Sequence, residues 1–137
     1  MVPIARSTLP RRLLDAVLRG IRGKCPRCDG ASLFHRWLKP VEHCQLCGQD
    51  WTPARADDIP PYISIFLTGH ILAPVMILLV LDMQLSVAAT LAIILPLAIV
   101  LMLAILQPAK GGVMAAQWWL GLGDFEQQRP LADEPGD

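Results

Sequence analysis

Two long apolar runs, residues 62–81 and 85–106, constrain this chain more than any other feature. The first holds twenty residues with His70 as its only ionisable side chain, and the second holds twenty-two with none. As helices, each would reach roughly 30 Å, the thickness of a bilayer's hydrocarbon core. Only Asp82, Met83 and Gln84 separate them, too few for anything but an antiparallel helical hairpin. The first run begins far from residue 1, is too long for a signal-peptide core and follows a segment that reads as folded, so a cleaved signal is not expected. The soluble alternative is a pair of core helices in a bundle.

Ahead of the runs stand four cysteines in two C-x-x-C pairs, Cys25/Cys28 and Cys44/Cys47, with fifteen residues between the pairs and no cysteine left over. That spacing is the pattern of a four-thiolate zinc site. Thiolates suit zinc, and a C-x-x-C turn lets two sulfurs converge on one ion while backbone N–H groups point at them. Gly30 and Gly48 follow the pairs and are expected to take the positive φ such turns need. Lys24 and Arg27 would offset the charge of the cage. Neither pair is followed by histidine (Asp29 and Gly48 occupy those places), which excludes covalent haem attachment. A thioredoxin-like redox pair would need a βαβ context that is absent here. Iron in a rubredoxin-like cage uses nearly the same turns and remains the alternative. His35 and His43 are either substitute ligands or surface groups beside the site. A closed four-cysteine shell has no place for a water, so its expected contribution is folding energy rather than catalysis. No other catalytic constellation stands out, and enzyme activity or a small-molecule substrate is not expected.

The expected fold is therefore a membrane protein in which a small N-terminal zinc-ribbon-like module precedes a two-helix transmembrane hairpin. Residues 1–22 would contribute a basic amphipathic helix. Leu13, Leu14, Val17, Leu18 and Ile21 share one arc of it, and Arg11, Arg12, Arg19 and Arg22 lie on the other with Asp15. Ser7 or Thr8 could cap it, with Pro10 in its first turn. Such a helix either lies on anionic headgroups or packs on the metal module with its arginines in water. Residues 23–52 form the ribbon, with a short strand over 32–37. Residues 53–61 form a linker in which Pro60-Pro61 stops regular structure before the membrane. After the two spans, Pro108 and Gly111-Gly112 are expected to break the second helix. Residues 107–122 then form an interfacial segment that carries Trp118 and Trp119 at headgroup level. Residues 123–137 read as a disordered acidic tail.

A formal net charge of zero conceals this partition: a basic head, one charge (Asp82) within 62–106, and an acidic end. The hairpin tip has no Lys or Arg, whereas basic residues crowd ahead of the first span. The positive-inside rule thus puts both termini and the cysteines on the cytoplasmic side of the membrane. A reducing compartment favours metal thiolates over disulfides. Within the first span, His70 would meet a cofactor or partner helix, or simply donate to a backbone carbonyl. Pro74 leaves the His70 carbonyl without its helical donor, and Pro96 should bend the second helix. Ser64/Thr68, Gly69/Ala73 and Ala88/Ala92 are small pairs at four-residue spacing, suited to close helix approach. Nucleic acid is not an expected partner: the basic charge sits beside the membrane and no aromatic stripe is present for stacking.

The chain resembles an uncharacterised bacterial family, the domain of unknown function nine-eight-three. The resemblance rests on Arg19-Gly20-Ile21-Arg22-Gly23-Lys24-Cys25-Pro26-Arg27-Cys28, on Cys44-Gln45-Leu46-Cys47-Gly48, and on Ala56-Asp57-Asp58 with Pro60. It continues through Gly69-His70, Pro74, Pro108, Lys110-Gly111 and Gln117-Trp118, over residues 19–120. Asp82 stands where the family often has glutamate, and Ile59 where it has glycine. The resemblance implies a cytoplasm-facing zinc ribbon on two transmembrane helices. Some members are encoded beside haem-copper oxidase subunits and assembly factors. That implies a non-enzymatic adaptor or an accessory and assembly role, with an integral membrane protein such as an oxidase subunit as partner. An iron-bearing membrane electron carrier is the alternative.

Overall fold

The computed structural model describes residues 9–54 and 58–127. Ser7, Thr8, Arg55, Ala56, Asp57 and residues 128–137 lie outside them, so the capping expectation, part of the linker and most of the tail are not addressed. Helix α1 is Leu13–Ile21, shorter than expected and preceded by Arg12 in an extended conformation. Strands β1 (Phe34–Arg36) and β2 (Lys39–Pro40) pair antiparallel. Helix α2 is Ile59–Ile77, and α3 is Val87–Leu120.

Three expectations are corrected. Pro60 and Pro61 do not stop structure before α2; they sit in its first turn, where a missing N–H is harmless and the fixed φ suits the helix. At the other end, α2 passes into a π-helical turn, Leu78–Asp82, so the apolar helix runs from Ile59 to Asp82. The third correction is the largest. Pro108 and Gly111-Gly112 do not end the second helix, which runs unbroken for 34 residues to Leu120. It begins at Ser86, whose hydroxyl accepts from the Ala89 N–H at 3.3 Å, and ends at Gly121 in the left-handed region.

The two apolar helices are long and apolar enough to cross a membrane. They pack on each other through Ser64 and Thr68, both buried, and the Ser64 hydroxyl donates to the Met102 carbonyl at 2.7 Å. Gly69, Ala73, Ala88 and Ala92, the other small pairs, face outward and take no part in the hairpin seam. Most of both helices lies exposed: only 17% and 6% of their most apolar stretches are buried.

Past Lys110, α3 becomes the pillar of the metal module. Met114 and Trp118 join Ala16, Cys25, Cys28, Leu33, Phe34, Cys44, Trp51 and Phe125 in one core. The Trp51 and Trp118 rings lie 6.0 Å apart at 56°, and Trp51 meets Phe125 edge-on at 5.9 Å. Phe125 is wholly buried and belongs to a 3₁₀ turn, Gly123–Gln127. The expected tail is thus pinned at its start, by Phe125 packed against Trp51. Helix α1 packs along the same stretch of α3. Its Gly20 meets Gly111 backbone to backbone, and Ile21 and Val17 lie over Gly112. While α1 is packed in this way, Leu14, Leu18 and Ile21 on its apolar arc are still exposed.

Candidate metal centre

Each cysteine pair is built by one repeated backbone device. The Asp29 N–H donates to the Cys25 carbonyl and the Gly48 N–H to the Cys44 carbonyl, both at 2.8 Å. Each turn is then tied at its base: the Cys25 N–H donates to Ala31 at 2.8 Å, and the Cys44 N–H to Gln49 at 2.9 Å. The closing residue of each turn takes positive φ. Gly48 does so at 70°, as expected, but in the first turn it is Asp29, at 55°, rather than Gly30. Aspartate tolerates this region better than most side chains. At Gly30 a Cβ would meet the end of the Leu46 side chain of the opposite turn, which is exposed and can swing aside.

The two turns face each other and bring all four sulfurs together. Cys25 Sγ lies 3.7 Å from Cys47 Sγ, and Cys28 Sγ lies 3.6 Å from Cys44 Sγ. All four fall within 4.8 Å of one another. Disulfides are excluded at these separations, since bonded sulfurs sit at about 2 Å. Four ligands at about 2.3 Å from one zinc ion would be spaced about 3.8 Å apart at the corners of a tetrahedron. The Cys25–Cys47 and Cys28–Cys44 separations match that figure and the others stay within 4.8 Å, so the four cysteines are positioned to coordinate a metal ion.

Electrostatics within the cage are uneven. Burial pushes the Cys25 thiol far up, against a bond from the Cys28 N–H and reinforced by its sulfur neighbours. Cys47 is pushed up to about 11, again mainly by burial. Burial also acts upward on Cys44, yet N–H bonds from Cys47 and Leu46 and contacts with the Cys47 and Cys25 thiols bring it below its ordinary value. The N–H groups inside the turns thus stabilise thiolate, which is the species a metal binds. Outside the cage, Arg27 bridges the turns by donating to Gln49 Oε1 at 3.4 Å. His35 and His43 stay at the surface: His35 Nδ1 lies 3.2 Å from the Pro40 carbonyl, and His43 Nε2 lies 3.7 Å from Asp50 Oδ1. The Asp50 carboxyl is itself held below the usual range by the Thr52 N–H and hydroxyl.

The residues expected at the membrane surface separate into two groups. Arg11, Arg12 and Arg22 are exposed. Arg19 instead ties α1 to the first cysteine turn, donating to the Pro26 carbonyl at 3.2 Å and approaching Asp29 at 3.9 Å. Trp118 lies in the module core rather than on a surface. Only 2% of it is exposed, because the unbroken α3 carries it into the module core. Trp119, beside it, is half-buried and meets it edge-on at 6.4 Å. His70 points outward from the hairpin. Its Nδ1 lies 2.8 Å from the Phe66 carbonyl, which can only accept, so Nδ1 carries the proton. The ring packs against Phe66 with centroids 4.1 Å apart, tilted by 39°.

A four-cysteine cluster built around the end of an apolar helical hairpin defines a class: a metal-site module joined rigidly to helices of membrane-spanning length. The chain belongs to the family described as Protein of unknown function (DUF983), which it matches over residues 34–118. The match takes in the second cysteine pair, both apolar helices and the Trp118 pillar, and begins after the first pair. Comparisons with curated proteins and with solved structures found no match.

Proposed function

We propose that this protein is a zinc-bearing integral membrane protein of the bacterial inner membrane that works as a non-enzymatic adaptor. The observation that carries the reading is the continuity of α3. One helix begins as an exposed apolar rod and ends as the pillar on which Cys25, Cys28 and Cys44 are packed. Large side chains such as Leu81 and Val87 are 68% and 77% exposed on the hairpin, which suits lipid rather than water as their surroundings. The excess of Lys and Arg ahead of α2, against none at the hairpin tip, supports cytoplasmic placement of both termini and of the metal. Zinc supports the fold and leaves no open coordination position, which is why the role is presentation of a surface rather than chemistry.

The partner is an integral membrane protein, and a haem-copper oxidase subunit or its assembly factor is the candidate that the family resemblance suggests. The test is isolation in mild detergent with metal analysis and identification of co-purifying proteins. One equivalent of zinc and an oxidase partner that is lost on Cys25→Ser or Cys44→Ser are expected. A red, iron-loaded protein would replace the adaptor with an electron carrier. Unchanged co-purification by the serine variants would remove the module from partner binding.

A further inference from the structure

We propose that the tip of the β1–β2 hairpin is a lipid-binding element, seating Trp37 among the headgroups of an anionic bilayer with Arg36 and Lys39 on the phosphates. Arg36 pairs directly with Lys39, so Trp37 and Leu38 are the whole turn. Two-residue hairpin turns call for positive φ and favour Asn, Asp and Gly. Here Leu38 takes it, at 60°. Packing does not explain the choice of residues: Trp37 is 54% exposed, whereas Trp51 and Trp118 are each 2% exposed in the core.

The hairpin's position supplies the reason. The Phe34 ring, at its root, lies 3.4 Å from where a Cβ on Gly111 would stand, and the exposed Ile21 lies 3.1 Å from the same point on Gly112. Both therefore meet one turn of α3. That turn is about 7.5 Å along the helix from Leu106, where the apolar run ends. A headgroup layer is about 5–8 Å deep on each side. Trp37 stands three residues from Phe34, a strand reach of about 10 Å, so the ring can enter that layer. Indole rings favour it, and anionic lipid attracts the two flanking cations. No acidic residue lies between Leu33 and Val41 to oppose them.

The inference rests on the membrane-spanning reading, and the experiment separates the two. Full-length, metal-loaded protein is reconstituted in vesicles of phosphatidylcholine and phosphatidylglycerol. Emission of the wild type minus that of Trp37→Phe isolates Trp37. The expected Trp37 component is blue-shifted, quenched strongly by lipids brominated near the glycerol and several-fold less by aqueous iodide. Arg36→Glu with Lys39→Glu should reverse that ratio. A water-like, iodide-quenched Trp37 in vesicles that retain the protein through alkaline carbonate overturns the proposal and leaves the spans standing, even if a protein covers Trp37 in native membranes. Extraction of the protein by carbonate overturns the spans, and the hairpin contact falls with them.

Discussion

Gly20 and Gly111 touch so closely that a methyl group on either would overlap the other's carbonyl. Gly111→Ala, or Gly20→Ala, should force α1 away from α3 and destabilise the module by about 1–3 kcal/mol, read as a lower unfolding midpoint in detergent. Gly69→Ala is the control, since nothing lies within 4 Å of its Cβ position. The sulfurs carry a pH prediction. With Cys25 and Cys47 pushed up, both hold protons at neutral pH in the metal-free protein, and a metal must displace them. Affinity should therefore fall as pH is lowered, by about tenfold per displaced proton per pH unit. Competition with a chelator across neutral pH measures the slope; a flat profile would mean the thiols were already ionised. The cage was legible from its spacing, because a C-x-x-C turn is local geometry. The roles of Asp29 and Gly30 were not. A glycine after a turn suggests backbone freedom, whereas the positive φ falls on Asp29 and Gly30 lies beside Leu46, sixteen residues away.

Among the elements, α2 and the start of α3 were readable as uninterrupted apolarity, while the end of α3 was misread. Pro108 and two glycines look like a stop when judged by helix propensity alone. Here the proline removes one N–H from a long ladder, and Gly111, Gly112 and Ala115 are small to admit α1. The usable signal was the spacing of Gly111, Ala115 and Trp118 at intervals of four and three, which keeps one helical face intact across the apparent break. The same misreading put Trp118 on a surface and let residues 123–127 pass as tail. Phe125→Ala should cost about 3 kcal/mol or more, since it empties a fully buried aromatic site, and should expose Trp51 to a water-soluble quencher. Ser64→Ala, which removes the bond to Met102 within the hairpin seam, should cost only about 0.6 kcal/mol in a membrane-like solvent.

For the molecule as a whole, the cysteine cage and the apolar hairpin should respond differently to metal removal. The cage and the aromatic core share residues, so a strong chelator should loosen both at once. Helices α2 and α3 up to Lys110 owe nothing to the cage. The expected result in detergent is a red shift of tryptophan emission with most helical circular dichroism retained; loss of both together would mean that the hairpin also depends on the metal. The extent of α3 has one more consequence. At 34 residues the helix is about 51 Å long, so roughly 20 Å stands clear of a hydrocarbon core of about 30 Å. A helix is also an angular ruler, turning about 100° with each residue. Inserting one residue near Gln107 would swing the cysteines about 100° around the helix axis, whereas seven would restore their heading to within about 20°. What α3 hands to the four cysteines is thus a compass bearing, set by a residue count.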